Sequence, residues 1–250
     1  VKIDDSEVAR FFEERGEKFD ERHPLVSVLY QDSNPELTER RDAHEKQVLA
    51  PYLILEATPR VLDVGCGAGQ ELLPFLEKTS AFCVGLDAAD ELGKVTKNVF
   101  AEQNFGNRFA FVRSFGEKMP FADESFDVVL CRVALPYMDN RRAIAEISRI
   151  LKSGGTCLLK THAPSFYLGM IRERIGTFSA RQIAYPLICL TNGMIHSLSG
   201  KQMQKGFWKG KEVYQTTRFI EKECARNGMK IEGFLTDNNP QTPSFIIVKN

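Results

Sequence analysis

From residue 60 onward, short runs of consecutive apolar residues alternate with longer stretches in which apolar positions recur at helical spacing. The runs predict strands near residues 60–65, 82–87, 108–113, 126–132 and 155–161, and the stretches between them predict helices at about 69–79, 90–104 and 139–151. In the third helix Ile144, Ile147, Ile150 and Leu151 share one stripe, and Gly154–Gly155 is expected to end it in the left-handed conformation. A further helix near 215–228 should stop at Asn227–Gly228. Two late strands, Lys230–Leu235 and Ser244–Val248, flank the turn-rich DNNPQTP and are too close for a crossover, so they should pair antiparallel. The alternation implies an α/β fold: a doubly wound, seven-stranded, mostly parallel sheet with an antiparallel C-terminal hairpin.

Two segments fall outside that alternation. Residues 1–55 combine an amphipathic start (Val8, Phe11, Phe12, Phe19), a turn at SNPE and a charged helix through Arg40 to Leu55, which reads as a helical cap. Residues 163–213 follow the fifth strand and carry the apolar runs Phe166–Ile171 and Ile183–Leu190, the only tryptophan, Trp208, and the segment KGFWKGK. They read as a helical lid, or as a helical pair that covers the sheet edge with its charges solvated. The core is then divided, 56–162 and 214–250.

Composition adds a boundary and one asymmetry. At 250 residues and 43% apolar content the chain can build one α/β domain with an elaboration. Lys plus Arg equals Asp plus Glu at 33 each, so no global charge draws the chain to nucleic acid or membrane. Charge is unevenly placed, however: residues 1–60 hold 14 acidic and 9 basic residues, residues 163–230 hold 4 and 11. The basic excess over a lid would favour an anionic acceptor such as a phosphorylated sugar or a carboxylate, and the same basic and apolar mix could rest on an anionic membrane surface. The six cysteines show no zinc spacing and read as small buried apolar residues. With no cationic-then-apolar leader pattern and no long apolar run, a cytoplasmic location without stable membrane insertion is expected.

The chemistry is concentrated in VLDVGCGAG, Val61 to Gly69, with Asp87 eighteen residues further on at the tip of the second strand. Gly65, Gly67 and Gly69 let the backbone turn sharply against a ligand, and Asp87 is placed to accept hydrogen bonds from a ribose diol. The spacing is GxGxG, not the GxGxxG of dinucleotide sites, and Asp63 would repel a pyrophosphate while suiting a cationic ammonium group, which argues against a nicotinamide cofactor.

The segment resembles motif I of the class I S-adenosylmethionine-dependent methyltransferases, of the small-molecule type. The resemblance continues through GLD (Gly85–Asp87), GEKMPFADESFDVVLCR (Gly116–Arg132), which is similar to the family's AExLPFxDxSFDxVxC run, and LKSGG (Leu151–Gly155). It spans Arg60 to Thr161 and implies a Rossmann-like fold, with S-adenosylmethionine as cofactor and S-adenosylhomocysteine as product. Positions matching the family's binding segments are Asp63, Gly65, Gly67, Gly69, Asp87, Ala88, Phe115, Gly116 and Arg132, together with Arg15 in a lead helix that closes over the cofactor in relatives. Phe115 stands where many members carry an acid for the adenine amine: either its ring stacks on adenine or it belongs to the core. Arg132 would neutralise a carboxylate of cofactor or substrate, or else pair with a nearby acid.

Methyl transfer from a sulfonium is an in-line displacement, in which positioning contributes up to roughly 7–11 kcal/mol and no metal is required. A hydroxyl nucleophile is helped by a general base. His162, directly after the fifth strand, is the first candidate, the other reading being a histidine bonded to backbone at a strand end. His196 competes, and Tyr137 reads as lining the pocket. His23 and His44 read as surface or cap residues. CRVALPY replaces the NPPY signature of amino-group DNA methyltransferases, the Pro-Cys nucleophile of cytosine-carbon enzymes is missing, and no basic stripe interleaves with aromatics. The acceptor is therefore expected to be a small molecule, its hydroxyl methylated before an amine or carboxylate. TNGMIHSLSGKQ and EVYQTTRFIEKECARNGMKI resemble lids of methyltransferases of glycan or secondary-metabolite assembly. A homodimer is compatible with the sequence, and a non-catalytic cofactor-binding scaffold is the alternative function.

Overall fold

The computed structural model describes residues 49–53, 58–88, 90–175, 180–203, 206–208 and 211–250. The expected N-terminal cap, with Arg15, Phe19, His23 and His44, lies outside these residues apart from 49–53, which form a 3-10 turn at Ala50–Tyr52. Seven strands, β1 (Arg60–Val64), β2 (Phe82–Asp87), β3 (Phe109–Arg113), β4 (Phe126–Arg132), β5 (Leu151–Lys160), β6 (Met229–Phe234) and β7 (Ser244–Lys249), form one sheet in the order β3-β2-β1-β4-β5-β7-β6. β2 pairs parallel with β1 and with β3, and β4 pairs parallel with β5; β7 runs antiparallel to β5 and β6. The doubly wound α/β expectation and its C-terminal hairpin are borne out. Contacts divide the chain after Arg113 into two compact units.

In the first unit the strands are almost continuously apolar because both faces are covered. Val61, Leu62 and Val64 of β1 and Cys83, Val84 and Leu86 of β2 are buried. Phe100 of α2 (Asp90–Glu102) sets its ring edge-on to Phe109 of β3 at 4.8 Å. α1 (Leu73–Lys78) begins four residues later than the apolar spacing predicts. The glycine-bearing loop continues through Leu72 instead, its turns closed by Gly69 N–H to the Cys66 carbonyl and Leu72 N–H to the Gly69 carbonyl.

The second unit corrects the reading of LKSGG. α3 (Asn140–Ile150) buries Ala143, Ile144, Ile147 and Ile150, and the Asp139 carboxylate caps its start by accepting from the Arg142 N–H at 3.3 Å. It ends at Ile150, and Leu151 is already extended. Gly154–Gly155 therefore do not cap the helix: they form an irregularity inside β5, where the register shifts between Phe126 and Val128 of β4. Gly154 takes φ +76°, and a Cβ on Gly155 would lie 2.9 Å from the Lys152 carbonyl and 3.0 Å from that of Asp127. The left-handed residue was legible; a strand bulge needs it as much as a helix end does.

The insertion is helical as expected. α4 (Pro164–Arg174) packs against α5 (Ala180–Ser199), a 3-10 turn spans Gly206–Trp208, and the Thr216 side chain caps α6 (Thr217–Arg226) by accepting from the Phe219 N–H. The ends of β4 and β5 are tied to the β6–β7 connection by one carboxylate: Asp237 Oδ2 lies 2.5 Å from Arg132 Nη2 and 2.5 Å from Lys160 Nζ. Burial alone would raise the Asp237 pKa, but the two cations and their hydrogen bonds hold it down to about 2. Asp237→Asn leaves two shielded cations without their charge partner, so it is expected to cost about 3 kcal/mol or more in urea-induced unfolding; a loss within experimental error would show that Arg132 and Lys160 re-pair.

Candidate active site

In the first unit the backbone N–H groups of the loop after β1 stitch it to the tip of β2. The Gly65 and Cys66 N–H groups both donate to the Leu86 carbonyl, at 2.7 and 3.1 Å, and the Gly67 N–H donates to Asp87 Oδ2 at 3.0 Å. Thr96 of α2 donates its hydroxyl to the Gly67 carbonyl at 3.3 Å. Gly65, Gly67 and Gly69 all have positive φ, at 76°, 54° and 79°, and a Cβ on Gly69 would stand 2.6 Å from Thr96 Cγ2. The loop is thus a bare backbone cradle beside a carboxylate.

Two more groups of this unit suit a ligand with both a cationic head and polar hydroxyls. Asp63 is buried, and the buried Gln70 Oε1 has no hydrogen-bond partner. The Cys66 thiol is pushed well above its usual pKa by burial, then by the charges of Asp63 and Asp87, which places both carboxylates near one sulfur. Ala88 is exposed, and its carbonyl accepts from Arg113 Nε at 3.3 Å. An orphaned acceptor, two acids and a glycine cradle fit the ammonium and ribose groups of S-adenosylmethionine.

In the second unit Phe115 is 69% exposed, so of its two readings the core one is set aside. Gly116 beside it is buried. Arg132 gives its guanidinium to Asp237, the second of its two readings.

The catalytic candidates meet a residue that the sequence reading missed. Past β5, Thr161 N–H and Ala163 N–H donate to the Pro243 and Gln241 carbonyls, which holds His162 at the carboxyl end of the strand. A strap at 211–216 returns along it, with the Val213 N–H on the Pro136 carbonyl and the Gln215 N–H on the His162 carbonyl. The strap delivers Glu212, a buried carboxylate. Its Oε2 lies 2.7 Å from His162 Nδ1 and accepts from the Tyr167 hydroxyl at 2.8 Å, and its Oε1 accepts from the Tyr185 hydroxyl at 2.6 Å. His162 also stacks on Phe166 at 3.8 Å.

Electrostatics define the cluster. Burial would raise the Glu212 pKa, but the hydrogen bond and charge of His162, with the bonds from Tyr185 and Tyr167, bring it down to about 2. Both tyrosines are pushed far up, first by burial and next by the Glu212 charge, with Tyr137 acting on each as well. They are therefore fixed donors at neutral pH, and Tyr137 belongs to the same neighbourhood. His196 does not. It is buried edge-on to Phe219 at 4.9 Å, and burial, then Arg141, lower its pKa. A carboxylate on Nδ1 fixes an imidazole so that Nε2 presents its lone pair, an arrangement suited to taking a proton.

One signal could have found Glu212: it is the only acid between Glu173 and Glu221, in a segment otherwise basic. Tyr167 and Tyr185 carry no such mark.

Comparison with known proteins points the same way. Residues 62–159 match the model of the methyltransferase domain. Over this stretch the chain is similar to S-adenosylmethionine-dependent methyltransferases. The chain is 38% identical over 107 residues to the uncharacterized methyltransferase YcgJ of Bacillus subtilis, covering 42% of each chain. It is 27% identical over 159 residues to the ubiquinone/menaquinone biosynthesis C-methyltransferase UbiE of Geotalea daltonii, covering 62% of this chain and 68% of that one. The chain thus spans less than half the length of the first relative. In fold it is similar to the magnesium protoporphyrin IX methyltransferase ChlM of Synechocystis, solved with S-adenosylhomocysteine bound, with a TM-score of 0.58 at 14% identity, covering 99% and 100% of the two chains.

Two outcomes test this geometry. Gly69→Ala forces an L residue into a left-handed conformation against Thr96, and a strain of roughly 1.4 kcal/mol is expected to raise the Kd for S-adenosylmethionine about tenfold by isothermal titration; unchanged affinity would show that the loop yields. Glu212, with an ordinary pKa of 4.5, is depressed on folding, so it stabilises the fold above that pH and the contribution is lost as pH falls toward about 2. The difference in unfolding free energy between the natural chain and Glu212→Gln is expected to shrink over that window.

Proposed function

We propose that the chain is an S-adenosylmethionine-dependent methyltransferase that methylates a hydroxyl of a small acceptor, such as a sugar or natural product. The observation that carries the acceptor side of this reading is the buried Glu212–His162 pair at 2.7 Å following β5 of a methyltransferase domain. Asp63, Gly65, Gly67, Gly69 and Asp87 hold the cofactor, with Gln70 as a further acceptor. When bound, S-adenosylmethionine supplies an electrophilic methyl group on a sulfonium.

His162 accepts the acceptor's hydroxyl proton on Nε2, so that the oxygen reaches the methyl carbon as a better nucleophile. Glu212 takes the charge that appears on the imidazole, and Tyr167 and Tyr185 hold the carboxylate in place from either oxygen. Lys211, whose ammonium lies 5.4 Å from the Tyr185 ring centre, supplies a cation that an anionic acceptor would meet. A carbon acceptor would use the same base to lose its proton after methylation, and the likeness to a C-methyltransferase supports keeping that second reading.

His162→Asn is expected to leave cofactor affinity unchanged in isothermal titration while lowering kcat about a hundredfold, measured as S-adenosylhomocysteine release with a panel of hydroxyl and carbon acceptors. Full turnover in this variant removes the histidine from the mechanism. Cofactor binding without turnover on any acceptor by the natural chain favours a scaffold role. Mass spectrometry of the methylated product then separates oxygen from carbon.

A further inference from the structure

Among the described residues nine large apolar side chains are exposed, and seven of them fall between residues 163 and 213. Three lie on α5. Leu187, Met194 and Leu198 are seven and four residues apart, so they share one stripe, with exposed Thr191 between them. Leu198 is 83% exposed. From Gln182 to Gly200 the sequence holds no Asp, Glu, Lys or Arg, so nothing on this stripe requires solvation as a charge. α4, packed against α5, adds exposed Leu168 and, at its end, Ile175. The 3-10 turn adds exposed Phe207, set edge-on to Trp208 at 5.4 Å within KGFWKGK.

The charges are at the margins, and they are mostly of one sign. Residues 163–213 hold seven Lys and Arg, all before Gln182 or after Gly200, against two Glu. One of those two, Glu212, is buried on His162. An apolar helix without Asp, Glu, Lys or Arg from Gln182 onward and bordered by cations, with a Phe-Trp pair in the same insertion, has the makeup of an element that lies in a bilayer interface. No helix among the described residues is long and apolar enough to cross a membrane.

We propose that the α4–α5 insertion docks on an anionic lipid surface, with the Leu187–Met194–Leu198 stripe entering the headgroup boundary and the flanking cations on the lipid phosphates. This surface is separate from the Glu212–His162 cluster and does not depend on the reaction assigned to it.

Flotation of the full chain with phosphatidylcholine vesicles, with and without a third of phosphatidylglycerol, tests the proposal alongside light scattering for oligomeric state. The expected result is binding to the anionic vesicles and weak binding to the neutral ones. Binding should weaken in high salt and be lost in Leu187→Ser/Met194→Ser/Leu198→Ser, whose positions are exposed. Lys201→Gln should weaken it about fivefold, the ratio that corresponds to about 1 kcal/mol per basic residue at such a surface. Equal binding to both vesicle types, no binding to either, or a dimer that the triple variant converts to monomer without any vesicle binding would each overturn it.

Discussion

The folded loop after β1 depends on a constraint of backbone geometry: three residues within five must occupy the left-handed region while the N–H groups of the first two face the end of β2 and that of the third closes a turn inside the loop. Only glycine does this repeatedly at low cost. Once Gly65, Cys66 and Gly67 donate to Leu86 and Asp87, the loop, the second strand and the acid at its tip become one unit. Thr96 closes it from the helix side. The cost is entropic, since an unfolded glycine-rich segment has more freedom to lose, and the buried apolar faces of β1 and β2 offset it.

A second constraint is electrostatic. A carboxylate removed from water is tolerated only with its lone pairs engaged, and Glu212 receives a ring nitrogen and two hydroxyls. Those three donors come from the end of β5, from α4 and from α5, and the strap leading into α6 brings the carboxylate to them. The insertion is therefore organised around one buried charge and is not merely laid over the sheet. The same logic governs Asp237, which gathers Arg132 and Lys160 from neighbouring strands. Two acids, each held near pKa 2, set the geometry of the second unit.

How much of this was readable in the chain follows from the range of the interactions. The strands, most helix positions and the glycine loop are local patterns, so apolar runs and GxGxG disclosed them. The β5 bulge was partly readable: Gly154–Gly155 announced a left-handed residue, but whether it ended a helix or bent a strand depended on pairing with β4. The Glu212–His162 contact joins residues fifty positions apart, and neither is marked by a motif. His162 drew notice by its place after a strand; its partner emerges only when the strap folds back. Arg132 was ambiguous for the same reason, because its partner Asp237 lies 105 residues away.

All six cysteines are buried as free thiols, in β1's loop, β2, β4, β5, α5 and α6. Burial pushes the thiols of Cys83, Cys189 and Cys224 up to about 12, and those of Cys66 and Cys157 well above their usual range. Thiolate, the species that alkylating reagents attack, is thereby scarce in the native state. Each sulfur becomes reactive only when its own element opens, so the order in which the six are alkylated is a built-in record of which parts of the molecule breathe first.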